Sequence, residues 1–525
     1  MATELKNLLW VDDEIDQLGS HIIFLEQKGY KVTKATNGED AVLLVGKNNF
    51  DLVLLDEMMP GKDGLTTLEE IKKISPNLPV IMVTKSEEER LMEQAIGEKI
   101  SFYITKPVNP SQILSVAKKI LEEKSIREKH VVKQYIEQFN QLKGKLNLAL
   151  TAKDWIDIHH QLCLWDLELE NFREPSLTET HQGLKKECNL EFGKFIEREY
   201  PLWLKSASAG KERPLLSVDV VPKFLQPVLL ENKPTFFFIL DCMRLDQWLA
   251  VEGLLNEYFN IKKEFYFSIL PTATPYSRNA IFSGLFPDEL AQKFPEVWKS
   301  DDENEHSRNR YERQLLDAQL KRLGVALKSE AKYAKILDIT EGESIAKKIS
   351  SFMNVTLFSL VFNFLDILSH GRSESEILIE IAPDEAAFRS LMKSWFNHSA
   401  LLDILKYLST QDCNVVFTTD HGSVLGTRAN LAYGKRDTSP HLRYKYGDNL
   451  NTDPKGAILI KNPKDYRLPF FGIATTYLLA KEDYYFVYPT KFHEYEKEFK
   501  NTFQHGGISM EEMILPVAIL KPKRK

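Results

Sequence analysis

LVLLD EMMPGKDG, residues 52–64, opens with four apolar residues that close on Asp56, the pattern of a strand buried on both faces. Working outward, LLWV (8–11), KVTKAT (31–36), VIMVT (80–84) and SFYIT (101–105) read as strands of the same sheet. The segments between them carry apolar residues at three- and four-residue spacing, which predicts helices. Five strands alternating with helices over residues 1–121 predict an α/β domain with a doubly wound parallel sheet, whose ligand crevice lies at the carboxyl ends of the strands. The polar residues fall there. Asp12 and Asp13 follow the first strand, Asp56 ends the third, Thr84 ends the fourth, and Lys106 with Pro107 follows the fifth.

Three carboxylates converging on one crevice repel unless a hard cation sits among them, and Mg²⁺ suits a mixture of few carboxylates, carbonyl and water. A lysine and a threonine hydroxyl opposite suit a phosphoryl group. One such residue is an ordinary strand-end turn residue; five in register point to a site.

The whole chain has 525 residues, enough for several domains. Its 43% hydrophobic and 27% charged residues are globular averages, which excludes disorder and fibres for most of it. A net charge of −7 argues against general coating of nucleic acid or anionic membrane. Cys163, Cys188, Cys242 and Cys413 lack any C-x-x-C spacing and are read as reduced, which places the chain in the cytosol. Met1–Leu9 has no basic region followed by an apolar stretch, and Phe236–Leu240 and Leu357–Phe362 are far too short to cross a bilayer, so no membrane insertion is expected.

Residues 122–206 turn helical, with Trp155, Trp165 and Phe172 at core spacing, and predict a helical bundle linker. Neighbouring His159 and His160 cannot share one helix face, which argues against a metal role. SASAGKERP (206–214) reads as a connecting segment before a large domain over 207–525. More than 300 residues after the bundle are far more than a terminal helix-turn-helix needs, so a DNA reader is the weakest output.

In that last domain, acidic and histidine residues punctuate the most apolar runs. FFFILD (236–241) ends in Asp241, LFSLVFNFLDILSH (357–370) delivers Asp366 and His370, VVFTTDHG (415–422) carries Asp420 and His421, and FQHGG (503–507) presents His505. Each alone has an ordinary explanation as a cap or a turn. Together, three aspartates and three histidines match what two Zn²⁺ ions need, and two metals clamp both oxygens of a phosphoryl displacement. LPTATPYSRNAIFSGLFP (270–287) offers the nucleophile: Thr274 precedes Pro275 and is expected at the N-cap of a helix, where amides and dipole favour phosphate. Metal coordination would lower the hydroxyl pKa and activate it. Thr272 competes for the role, and only spacing favours Thr274.

VDDE, LLDEMMPGKDG, VTK and TKP resemble the signatures of response-regulator receiver domains, which have a flavodoxin-like fold. The resemblance implies that Asp56 is the phosphoacceptor, that Asp12, Asp13, Asp56 and the Met58 carbonyl serve one Mg²⁺, with Asp12 acting through water, that Thr84 and Lys106 contact the phosphoryl group, and that Tyr103 is the switch aromatic. Lys85 and Ser86 depart from the small residues many receivers carry after Thr84. The C-terminal pattern resembles the alkaline phosphatase superfamily. It implies one zinc at Asp366, His370 and His505, and another at Asp241, Thr274, Asp420 and His421. Thr274 lies ten residues before Gly284, the nucleophile spacing of nucleotide pyrophosphatases and sulfatases, and threonine instead of cysteine disfavours sulfatase activity.

Receiver, bundle and PglZ-type domain together resemble the PorX-like response regulators. The resemblance implies a cytoplasmic regulator of type IX secretion. A histidine kinase would phosphorylate it, its zinc-dependent effector would hydrolyse phosphodiesters such as linear or cyclic oligonucleotides, and phosphorylation would promote a homodimer. The alternative is an adaptor that docks on secretion machinery or a sigma factor, with catalysis secondary. Residues 423–449 interleave Arg428, Lys435, Arg436, Arg443 and Lys445 with Tyr433, Tyr444 and Tyr446, which suggests either a grip on phosphates and bases or a solvated loop. His441 is a weaker candidate for substrate contact, and Lys521–Lys525 read as a solvated basic tail.

Overall fold

The computed structural model describes residues 5–84, 100–172, 174–208, 210, 212–298, 311–434 and 441–523; Lys85, Ser86, Lys435, Arg436, Arg524 and Lys525 lie outside the described residues. Two compact units divide the chain, Met1–Gln138 and Phe139–Lys525.

In the first unit, strands β1 (Lys6–Val11), β2 (Tyr30–Ala35), β3 (Leu52–Asp56), β4 (Val80–Thr84) and β5 (Phe102–Thr105) form a parallel sheet in the order β2-β1-β3-β4-β5. Every residue of β3 and β4 is buried, as expected of strands covered on both faces. Helices α1 (Gly19–Gln27), α2 (Gly38–Lys47) and α3 (Gly64–Ile74) connect the first strands. Asn37 and Asp63 start α2 and α3 by accepting hydrogen bonds from the amides of Asp40 and Thr66, at 2.8 and 2.7 Å. Helix α4 (Pro110–Lys145) carries the chain into the second unit.

There, α5 (Ala152–Phe172) and α6 (Pro175–Ser208) bury Trp155, Trp165, Phe192 and Trp203. Trp203 packs at 5.2 Å from Phe267, at the end of a strand of the large domain, so bundle and large domain share one hydrophobic core. Helix α6 continues into SASAGKERP, through Ser208.

The central sheet of this unit contains β6 (Thr235–Leu240), β7 (Phe259–Phe267), β8 (Lys332–Ile336), β9 (Leu357–Phe362) and β10 (Asn414–Thr418). Around it stand α7 (Leu245–Leu255), α8 (Thr274–Ser283), α9 (Glu312–Arg322), α10 (Phe364–Glu374) and α11 (Glu385–Asn397). Short strands β11 (Val424–Gly426), β12 (Arg428–Tyr433), β13 (Tyr444–Asp448), β14 (Asn451–Thr452), β15 (Ala457–Ile460), β16 (Thr475–Ala480), β17 (Tyr484–Val487) and β18 (Thr502–Gln504) build smaller sheets, and β19 (Ile514–Pro522) returns to the central one. Its order is β7-β19-β10-β6-β9-β8, with β10, β6, β9 and β8 mutually parallel and β19 antiparallel to both neighbours. The carboxyl ends of β9, β6 and β10 therefore emerge side by side.

Segment 423–449 is not a solvated loop where it is described. Arg443 is fully buried against Glu512, Arg428 pairs with Glu482 and Asp483, and Lys445 is buried with its ammonium donating to the His441 carbonyl at 2.9 Å. These charges are held by internal partners, because β12 carries Arg428 and β13 carries Lys445, with Arg443 just before it, into the smaller sheets. His441 stacks on Tyr444 at 4.2 Å. All four cysteines are free and buried, and among the described residues no helix is long and apolar enough to cross a membrane.

Candidate active site

The first unit gathers Asp12, Asp13 and Asp56 at the strand ends, with carboxylate oxygens within 4.8 Å of one another. The Lys106 ammonium donates to Asp12 Oδ2 at 3.0 Å and to Asp56 Oδ2 at 2.9 Å. Burial pushes the Asp56 carboxyl up, and Lys106 only partly offsets it. Three carboxylates facing one ammonium leave excess negative charge, so the donor set fits Mg²⁺. Thr84 is buried at the end of β4, whereas Tyr103 on β5 is half exposed and Met58 is exposed in the loop after Asp56.

In the second unit, two further clusters form. Asp366, on the first turn of α10, lies with Oδ1 3.4 Å from His370 Nε2 and 3.5 Å from His505 Nε2, and the two imidazole nitrogens are 3.2 Å apart. Ligands at about 2.05 Å around a tetrahedral zinc stand about 3.3 Å from one another, so these three atoms fit adjacent corners of such a site. Burial pushes Asp366 up, but the imidazoles of His370 and His505 beside it outweigh burial and hold the carboxyl well below the usual range.

The second cluster joins Asp241, Asp420 and His421, all fully buried. His421 Nε2 stands 3.6 Å from Asp241 Oδ1, 3.7 Å from Asp420 Oδ2 and 2.9 Å from Thr274 Oγ1. Asp241 Oδ1 has no hydrogen-bond partner, an orphaned buried oxygen that a cation would satisfy. Burial lowers the pKa of His421 against the pull of the Asp420 carboxylate, which favours the neutral ring that ligation needs. With Nδ1 donating to the Gly422 carbonyl at 3.1 Å, Nε2 keeps its lone pair toward the cluster. This donor set also fits zinc.

The two clusters are neighbours because β11 pairs with β18, Val424 opposite Gln504, which sets the Asp-His-Gly loop beside the His505 loop. The rings of His421 and His505 stack at 4.3 Å. Gly506 has φ +116°, and a Cβ there would meet the Tyr444 ring at 2.5 Å, so the His505 turn demands glycine.

Thr274 is not the N-cap. Ala273 occupies that position in extended backbone, Thr274 is the first residue of α8 and Pro275 the second. Its hydroxyl thus turns to His421 instead of capping. Thr272 is engaged differently: Oγ1 donates to the Gly507 carbonyl at 2.7 Å and accepts from the Gly506 amide at 3.2 Å.

Arg278, inside the stretch 270–287, had no role of its own in the sequence pattern, and nothing there pointed to Glu312 or Asn363. Arg278, fully buried one turn after Thr274, donates from Nε to Asp420 Oδ2 at 2.9 Å, pairs with Asp241, and lies 3.5 Å from Glu312. Asn363 donates to Asp241 Oδ2 at 2.7 Å. Burial, with Asp420 and Asp366 nearby, pushes Asp241 well up despite Arg278, whereas His421 and Arg278 together outweigh burial at Asp420 and pull it down. Only the i+4 spacing of Thr274 and Arg278 hinted at this bridge.

Three family models match consecutive segments: the response regulator receiver domain over residues 8–118, the PorX response regulator linker domain over 125–204, and the BREX system PglZ alkaline phosphatase-like domain over 221–520. Among curated proteins, the transcriptional regulatory protein ResD of Bacillus subtilis (strain 168) is 33% identical over 123 residues, 23% of this chain and 51% of ResD, so the match spans about half of that relative. The transcriptional regulatory protein CpxR homolog of Haemophilus influenzae is 28% identical over 225 residues, 42% of this chain and 83% of that protein. Among solved structures, a CheY-like receiver domain protein from Methanospirillum hungatei JF-1 is 32% identical, covering 23% of this chain and 98% of that one, with a TM-score of 0.22. The receiver domain of NtrX from Brucella abortus is 32% identical, covering 22% and 98%, with a TM-score of 0.21. The PglZ match alone takes in more than half of the chain, and with the receiver and linker before it the chain belongs to the PorX-like two-component response regulators that carry a PglZ alkaline phosphatase-like domain.

Proposed function

We propose that phosphorylation of Asp56 controls a two-zinc phosphodiesterase in the second unit, with Thr274 as nucleophile. The observation that carries this reading is the Thr274 hydroxyl 2.9 Å from His421, in a cluster whose histidine stacks on that of a second, tetrahedrally spaced cluster. One zinc belongs to Asp366, His370 and His505, the other to Asp241, Asp420, His421 and Thr274. When bound, the metals supply Lewis acidity and charge to a phosphoryl displacement.

The chain's own residues do the rest. Arg278 and Asn363 fix the Asp241 and Asp420 carboxylates, and burial favours the neutral form of His421. The N-terminus of α8 sets the Thr274 hydroxyl where its dipole favours an anionic phosphate. Thr274 Oγ1, its proton passed to solvent, forms a bond to phosphorus as the P–O bond to the leaving alcohol breaks and that oxygen takes up a proton; water then attacks phosphorus and breaks its bond to Thr274, which restores the hydroxyl and releases a phosphomonoester. The separate engagement of Thr272 with Gly506 and Gly507 supports Thr274 over Thr272.

In the first unit, a histidine kinase supplies the phosphoryl group, Mg²⁺ is held by Asp12, Asp13, Asp56 and the Met58 carbonyl, and Lys106 and Thr84 receive the new charge while Tyr103 responds. The family suggests a cytoplasmic regulator of type IX secretion acting on linear or cyclic oligonucleotides, as a phosphorylation-dependent homodimer. The domain limits proposed are 1–121, 122–206 and 207–525.

Zinc content and hydrolysis of bis-p-nitrophenyl phosphate test the reading. Two zinc ions per chain and turnover that Thr274→Ala reduces at least a hundredfold are expected; full activity in that variant refutes the nucleophile.

A further inference from the structure

Helix α6 of the linker reaches the loops that carry the candidate metal ligands. Asn189 and Tyr200 stand eleven residues apart, about three turns, and so on one face of the helix. Asn189, buried, accepts from the Met510 amide at 2.8 Å and donates to both carboxylate oxygens of Glu511, at 2.9 and 3.2 Å. That segment follows the His505–Gly506–Gly507 turn. It also backs the Asp-His-Gly loop: the Gly422 amide donates to the Glu512 carbonyl at 3.3 Å, and a Cβ on Gly422 would strike the Glu511 carbonyl at 2.0 Å. Tyr200, 1% exposed, accepts from the Leu270 amide at 3.0 Å, four residues before Thr274.

Lys185, one turn before Asn189, extends the same face. It pairs with Glu385 on α11 at 2.8 Å, and Glu385 pairs at 2.9 Å with Arg244, three residues after Asp241. One helix face thus meets the flanks of the Asp241, Thr274, His421 and His505 loops.

Backbone amides such as those of Leu270 and Met510 need acceptors when buried, and here the acceptors come from side chains 70 and 321 residues away in sequence. The loops have no regular ladder at these points, so their course follows the helix. We propose that Asn189 and Tyr200 are positioning residues of the hydrolytic centre, Asn189 setting the His505 loop and Tyr200 the Thr274 loop. The linker is then part of the scaffold of the centre and not a tether before it. This rests on the two-metal reading above.

The test uses the full chain loaded with Co²⁺, whose visible absorption reports ligand geometry, beside bis-p-nitrophenyl phosphate turnover. Asn189→Asp keeps the size but sets a second carboxylate against Glu511. It is expected to lower the affinity for one of the two Co²⁺ ions by about 10–100-fold and to alter its absorption. Tyr200→Phe keeps the ring and removes the acceptor. It is expected to retain both ions and the KM while kcat falls about tenfold. Lys194→Ala, on the exposed face of α6, serves as control. If Asn189→Asp does not fold, Asn189→Ser carries the same comparison. Wild-type cobalt affinity and spectrum in the Asn189 variant, with wild-type kcat in Tyr200→Phe, overturn the proposal. A wild-type chain that binds two Co²⁺ ions but hydrolyses nothing refutes the phosphodiesterase reading alone, and the cobalt titration then decides the inference; one that binds no Co²⁺ overturns both.

Discussion

Replacing Arg278 with methionine should make the stability of the second unit depend on bound metal. The guanidinium is fully buried and faces Asp241, Asp420 and Glu312, each of them also buried. Methionine fills much of the same space but leaves three carboxylates without their cation. Removing one partner of a buried ion pair costs about 3–5 kcal/mol, because the remaining charge stays desolvated. With an unfolding entropy of about 2.1 cal/mol/K per residue over a unit of this size, that loss lowers Tm by about 4–6 °C. A zinc ion among Asp241, Asp420 and His421 would restore positive charge, so zinc should raise the Tm of the variant more than that of the wild type. Thermal unfolding in EDTA and in graded zinc measures both effects, with the receiver as internal control. Arg278→Lys, which keeps the charge but not the planar fork, should fall between. The reasoning is refuted if Arg278→Met melts with the wild type in EDTA, or if zinc stabilises both equally.

Burial, reinforced by Lys185, holds His159 at a pKa of about 3, below its ordinary 6.5. Between those pH values the unfolded chain binds a proton that the folded chain refuses, so stability falls as pH falls, by up to about 1.4 kcal/mol per unit. His159→Gln should flatten this acid limb in urea titrations, and an unchanged slope would count against it. Gly422→Ala places a Cβ 2.0 Å from the Glu511 carbonyl oxygen, a backbone atom that cannot swing aside, and should cost about 1–3 kcal/mol and weaken zinc binding; an unaltered melt and zinc affinity would show that the loop yields freely. Sedimentation with and without beryllofluoride should show a rise in mass that Asp56→Asn abolishes, and a mass that does not change would argue against a phosphorylation-driven dimer.

Local pattern alone determined a good part of this protein. Strands β3 and β4 coincide with LVLLD and VIMVT because a strand covered on both faces must be continuously apolar, and an aspartate or histidine that closes such a run stands out in one dimension. Asp56, Asp241 and Asp420 were visible for that reason. The cap position of Thr274 was not, because a Thr-Pro pair fits either of two adjacent helix starts and the His421 contact that accompanies the second comes from 147 residues away. Nor were the partners of Arg443 and Lys445 legible, since a basic, tyrosine-rich segment looks the same whether water or Glu512 receives its charge. The bridge of Arg278 between two aspartates depends on β6 lying beside β10, and the grip of Asn189 on Met510 spans 321 residues. Periodicity and burial are written along the chain, whereas hydrogen-bond and ion-pair partners exist only once the sheet has decided which strand ends stand together.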